Sequence, residues 1–173
     1  MHYSGIKTKD VANGIGFGVS LFVSGCHCHC KGCFNSETWD FNTGKEFTDK
    51  TLDEICRLLS RPYVDFFSIL GGDPFEPENR VEVLAIVSQV RAHFPNLKIN
   101  IWSHWHYEDV IQDDILKEII DLCDMFVDGE FILEKKDLHL PLRGSSNQRI
   151  IDLNSTRETG ELVLFEDLMQ SIQ

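Results

Sequence analysis

Four of the six cysteines in this 173-residue chain fall in one short run, Cys26-His27-Cys28-His29-Cys30-Lys31-Gly32-Cys33. Thiols at this density, interleaved with His and Lys, do not pack as an apolar face; they ligate metal. Two metal chemistries fit. Zinc takes Cys and His, and Cys26, Cys28, Cys30, Cys33, His27 and His29 offer more ligands than a tetrahedral site needs. Structural zinc sites usually draw ligand pairs from separated segments, however, and no second C-x-x-C follows. The iron–sulfur reading takes Cys26, Cys30 and Cys33 as a C-x3-C-x2-C set. Three thiolates on one loop hold three irons of a [4Fe–4S] cube and leave the last iron open to an exogenous ligand, which means substrate chemistry rather than electron transfer alone. Ligation from both 28 and 30 would be cramped, so Cys28 is assigned no iron; it and the two histidines leave room for zinc or a redox role. Cys56 and Cys123 stand alone on expected helices, as core or surface thiols.

Such a loop needs rigid support, and the surrounding pattern supplies it. Residues 19–24 are a β-branched and aromatic run ending at Gly25, the signature of a buried strand. A helix is expected over 48–60, with Leu52, Ile55, Cys56 and Leu59 on one face and Thr51 and Glu54 at capping-box spacing. A second apolar run, 64–70, stops at Gly71-Gly72-Asp73-Pro74. A helix over 79–94 turns Val83, Val87, Val90 and Phe94 inward and ends at Pro95-Asn96. A strand at 97–102, a helix marked by Ile111, Ile115, Ile119 and Leu122, and a short strand at 124–128 follow. The alternation predicts parallel βαβ units, whose functional residues gather at the carboxyl ends of the strands. The cysteine loop, Gly71-Gly72-Asp73-Pro74, Ser103-His104 and Asp128-Gly129 would then share one rim.

Composition narrows the partners. Sixteen basic against 28 acidic residues give a net charge of −12, which argues against nucleic-acid binding through phosphates. No apolar run is long enough for a membrane span, and no charged segment followed by an apolar one opens the chain, so a cytoplasmic protein with reduced thiols is expected. With no repeat and no linker, residues 1–173 read as one domain, and 154–173 as an edge segment or a docking tail.

C-x3-C-x2-C directly after the first strand of an alternating α/β chain, with Gly71-Gly72-Asp73-Pro74 after the next, resembles the radical S-adenosylmethionine (SAM) enzymes. Leu21-Phe22-Val23-Ser24-Gly25-Cys26, Gly32-Cys33-Phe34-Asn35 and Thr38-Trp39 are similar to the cluster region of the activating enzymes of anaerobic ribonucleotide reductase. So are Val127-Asp128-Gly129-Glu130-Phe131 and Leu142-Arg143-Gly144-Ser145-Ser146-Asn147-Gln148-Arg149-Ile150-Ile151-Asp152. The likeness runs from about Val11 to Asp152, and the Arg-Gly-Ser-Ser-Asn-Gln-Arg stretch carries it to this subgroup.

The resemblance implies a partial, open radical-SAM βα barrel, since 173 residues are too few for a full eightfold one. It implies one [4Fe–4S] cluster on Cys26, Cys30 and Cys33. SAM bound to the open iron would be cleaved reductively, and the resulting radical would take a hydrogen from a glycine Cα on the large subunit of the reductase. Gly71, Gly72 and Asp73 match the segment that meets the methionine amino group, and Asp128 an acidic residue near SAM. Gly32 stands where many relatives carry a bulky residue against adenine, so Phe34 is assigned the stacking role. Ser103 is placed at the rim by position. A flavodoxin-type electron donor would be a further partner. The competing expectations are an activase for another glycyl-radical enzyme and a non-enzymatic zinc or iron–sulfur adaptor or electron carrier. Trp102, Trp105 and the His104-Trp105-His106 patch read equally as strand-end packing; Arg143 and Arg149 read by default as surface ion pairs, and Glu134-Lys135-Lys136-Asp137 as a solvated loop.

Overall fold

In a computed structural model that describes residues 1–165, the parallel strands are those the apolar runs announce. They are β2 (Gly18–Val23), β4 (Phe66–Gly71), β5 (Lys98–Trp102) and β6 (Met125–Asp128). Two further strands pair with one another at one edge, β1 (His2–Asp10) antiparallel to β2 and the short β3 (Lys45–Glu46) antiparallel to β1. At the other edge β7 (Arg149–Asp152) runs antiparallel to β6. The result is one α/β domain with an open, mixed, seven-stranded sheet in the order β3-β1-β2-β4-β5-β6-β7.

Alternation along the strands gives the two faces different jobs. Val19, Leu21, Val23, Phe67, Ile69, Ile99, Ile101 and Phe126 share one core with the buried sides of α1 (Asp49–Leu59), α2 (Arg80–His93) and α4 (Asp114–Leu122). The intervening positions Phe22, Leu70 and Trp102 face a cavity of about 490 Å³ on the opposite side. Across the same strands Ser20, Ser68 and Asn100 stand in register as a polar row. Asn100 Nδ2 donates to Ser68 Oγ at 3.1 Å, and Ser20 Oγ to the buried Asp10 carboxylate at 2.5 Å.

Two local expectations are corrected. The first helix is capped by Thr48, whose N–H donates to Thr51 Oγ1 at 3.3 Å; Thr51 is the third helical position rather than the cap. The helix marked by Ile111 is two pieces, α3 (Tyr107–Val110) and α4, because the Asp113 side chain accepts from Ile115 and Leu116 N–H and starts a new helix there. In the segment 154–173, residues 154–159 lie in α5 (Leu153–Thr159) and Leu164 bridges Ile151 in antiparallel fashion; its part from 166 to 173 lies outside the described residues.

Candidate metal centre

Each parallel strand delivers one part of the site from its carboxyl end. The cysteine loop leaves β2 through Gly25, at φ +100°, whose N–H donates to Thr38 O at 2.7 Å and whose carbonyl accepts from Asp73 N–H at 2.8 Å. Gly72 N–H donates to Val23 O at 2.8 Å. The two turns are therefore in backbone contact, and a Cβ on Gly72 would collide with the Gly25 main chain. Gly71 sits at φ +114° against Phe22 and the Val23 carbonyl, a conformation and a space that favour glycine.

Cys26, Cys30 and Cys33, the C-x3-C-x2-C set, line the cavity together with Gly71, Gly72 and Ser103. Cys28 is not among the lining residues; its Sγ lies 3.4 Å from Cys30 Sγ. Burial and the neighbouring Cys30 sulfur push the Cys28 thiol well above its usual range, and burial raises Cys33. Cys33 Sγ also accepts from Asn35 N–H at 3.4 Å. Neither histidine of the loop lines the cavity. His27 is held by Glu76, through its N–H at 2.8 Å and Nδ1 at 3.0 Å, while His29 stacks on Trp39 with ring centroids 4.6 Å apart. Phe34 is half exposed at the cavity mouth, with Phe131 edge-on at 5.2 Å and Lys136 Nζ 4.8 Å from its ring centre.

Asp73 is buried, and protein donors occupy its carboxylate. Phe75 N–H, Ser103 Oγ, His104 N–H and His104 Nδ1 all reach it within 2.8 Å. It thus ties the glycine turn after β4 to the end of β5. Burial disfavours charge on the His104 ring, but hydrogen bonds to Asp73 and to the Cys26 sulfur lift its pKa to about 10. Asp128 lies behind the cavity wall, fully buried. It is gripped by the Arg149 guanidinium and by Tyr107 N–H at 2.9 Å, and its neighbour Gly129 reaches the cavity. Arg149 continues to Glu108 at 2.7 Å, so it braces the β6–β7 edge from within.

Sequence reasoning passed over two supports. Asn79, nearly inaccessible, donates to Ser24 O at 3.0 Å and Asp73 O at 2.9 Å, joining the start of the cysteine loop to the glycine turn. Glu76 pins His27. Their only signal is position, within a turn of Gly71-Gly72-Asp73-Pro74. Among the described residues, Cys26, Glu76 and His104 also bring donor atoms within 4.8 Å of one another. Two of these are already committed, Glu76 to His27 and His104 to Asp73.

A loop with three cysteines turned into one cavity and a glycine cradle beside it fits a single cubane cluster with an open position better than a closed zinc site. Comparison with known proteins supports the iron–sulfur cluster itself: a family model described as a 4Fe-4S single cluster domain matches residues 12–151. The chain is 38% identical over 154 residues to the anaerobic ribonucleoside-triphosphate reductase-activating protein of Enterobacteria phage T4, covering 87% of this chain and 93% of that one. Proteins of the same name from Salmonella typhimurium LT2 and Escherichia coli K12 are 37% and 36% identical over 150 residues, covering 86% of this chain and 96% of theirs. The chain belongs to the anaerobic ribonucleoside-triphosphate reductase-activating protein family.

Proposed function

We propose that this chain is an activase that cleaves SAM reductively at one [4Fe–4S] cluster and generates a glycyl radical on the large subunit of anaerobic ribonucleoside-triphosphate reductase. The observation that carries this reading is the partition of the loop: Cys26, Cys30 and Cys33 face the cavity that the Gly71-Gly72 turn also faces, and Cys28 does not. Cys26, Cys30 and Cys33 are the proposed ligands, and the open mixed sheet is read as a partial radical-SAM barrel. When bound, the cluster and SAM supply one-electron cleavage of the sulfonium bond and hydrogen abstraction from a glycine Cα.

The chain's own residues orient and enclose. Gly71 and Gly72 bring main chain close to the methionine end of SAM, with Asp73 and Ser103 holding that turn against β5. Phe34 offers a ring face to the adenine at the mouth. Asp128, clamped by Arg149, sets the position of Gly129 in the wall. Phe22, Leu70 and Trp102 present apolar surface below, which keeps water from a reactive radical. The open sheet leaves a protein substrate room to insert a glycine-bearing segment. A flavodoxin-type donor would deliver the electron, and the protein would work in the cytoplasm; no helix among the described residues is long and apolar enough to cross a membrane.

The test is anaerobic reconstitution with iron and sulfide. The protein should turn brown, give an EPR signal on reduction that changes on adding SAM, and release 5′-deoxyadenosine with dithionite. Cys28→Ser should keep these properties and Cys30→Ser should lose them. A colourless protein holding one equivalent of zinc, with no cluster formed on reconstitution, refutes the reading.

A further inference from the structure

Cys28 is the one thiol of the loop that the proposed metal centre does not use, and its surroundings give it a different chemistry. Its sulfur is 3.4 Å from that of Cys30, close to van der Waals contact. The residue between them, His29, sits at φ +48°, a left-handed conformation that a non-glycine residue adopts only when its surroundings hold it there. The stack of the His29 ring on Trp39, with planes 22° apart, supplies that hold. On either side the loop is anchored by His27 to Glu76 and by Cys33 N–H to Cys30 O at 3.1 Å. The two sulfurs therefore meet because the backbone is fixed, and both are partly accessible.

We propose that Cys28 and Cys30 are a redox pair of the cluster-free chain, joined as an intraloop disulfide that withholds Cys30 from iron until a dithiol reductant reopens it. The oxidant is a low-molecular-weight disulfide. The Cys30 thiolate attacks one of its sulfurs and expels the first thiol, leaving a mixed disulfide on Cys30. Cys28 gives up its proton and displaces the second thiol, forming the Cys28–Cys30 bond. Two protein thiols lose two electrons and two protons in all, and one disulfide becomes two thiols. Cys28 is thus a guard for a cluster ligand: a reversible link replaces the irreversible oxidation open to an unprotected thiolate. The consequence for iron rests on Cys30 being a ligand; the disulfide itself does not.

The full chain, stripped of metal with a chelator, is incubated with oxidised glutathione and then alkylated under denaturing conditions. The number of alkylatable thiols should fall from six to four in the wild type. Peptide mapping should place the missing pair at Cys28 and Cys30. The Cys28→Ser variant should form no internal link and carry glutathione at Cys30. A missing pair that maps to Cys26 and Cys33, or an internal link that persists in Cys28→Ser, overturns the proposal. In a second arm, oxidised wild-type chain should take up iron and sulfide only after a dithiol is added. A fully reduced chain that assembles no cluster counts against the cluster reading and leaves the thiol map to decide the disulfide.

Discussion

Gly72→Ala tests whether the cysteine loop and the glycine turn depend on direct backbone contact. Gly72 is not at a positive φ, so alanine meets no conformational barrier there. The effect lies in space: the new Cβ would run into the carbonyl, carbonyl carbon and nitrogen of Gly25. Those atoms cannot swing aside as a side-chain tip would. Gly25 is held by bonds to Thr38 O at 2.7 Å and from Asp73 N–H at 2.8 Å. Overpacking of this kind costs about 1–3 kcal/mol. Against it stands the reduced freedom of the unfolded chain, which favours alanine by about 0.4–1 kcal/mol. The steric term wins, for a net loss of about 1–2 kcal/mol. At roughly 2–4 °C per kcal/mol for a chain of this size, Tm should fall by about 2–8 °C. The assay is thermal unfolding of cluster-free protein by circular dichroism. Gly5→Ala in β1 is the control, because a Cβ there meets nothing within 4 Å; it should leave Tm unchanged or slightly raised. If the two variants melt together, the backbone contact is not a constraint and the argument for the glycine is wrong.

Two further perturbations reach the supports. Arg149→Met strands the fully buried Asp128 carboxylate, at a cost of about 3 kcal/mol, the low end for a broken buried pair because Arg149 is partly exposed. Tm should drop by roughly 6–12 °C, and adding Asp128→Asn should recover part of it; a double variant no more stable than the single one shows that the stranded charge is not the cause. Burial opposes charge on Asp10, yet Ser20, Ala12, Asn13 and Lys7 together lower its pKa from 3.8 to about 2. A depressed carboxylate contributes stability that is complete above its unfolded pKa and lost as pH falls through its folded one, here between pH 3.8 and about 2. Urea titrations should therefore show Asp10→Asn less stable near neutrality by about 2 kcal/mol and flatter through that acid window; an unchanged acid limb would be evidence against it.

The parallel strands were legible because each is a short apolar run ended by glycine or a polar turn, and a strand buried on both faces needs nothing subtler. The edges were not. Beyond His2 and Tyr3, where β3 pairs with it, β1 is an open edge, and there it carries the exposed Lys7 and Lys9, which keep an edge from pairing with another chain and erase the apolar signal. The break between α3 and α4 hid because Ile111, Ile115 and Ile119 keep helical spacing across it. Only the N-cap geometry of Asp113 shows that the helix restarts. Asp128 and Arg149 were legible as types and not as a pair, since 21 residues separate them and antiparallel pairing of β6 with β7 brings them opposite.

Asp73 lines the cavity, and its carboxylate also holds the fold together. A carboxylate beside two glycines at a strand end invites the reading of a ligand to an amino group, and the sequence holds nothing against it. A carboxylate accepts at about four lone-pair positions. Here Phe75, Ser103 and His104 fill them from one turn and the neighbouring strand end. An amino group arriving at Asp73 would have to displace a bond that holds β4 to β5. At Gly71 and Gly72 the space a Cβ would fill is taken by the main chain of Phe22, Val23 and Gly25, so the glycines let the two turns close on one another. The division of labour follows from hydrogen-bond capacity and space: the acid ties the turn to the end of β5, and the glycines let it meet the cysteine loop.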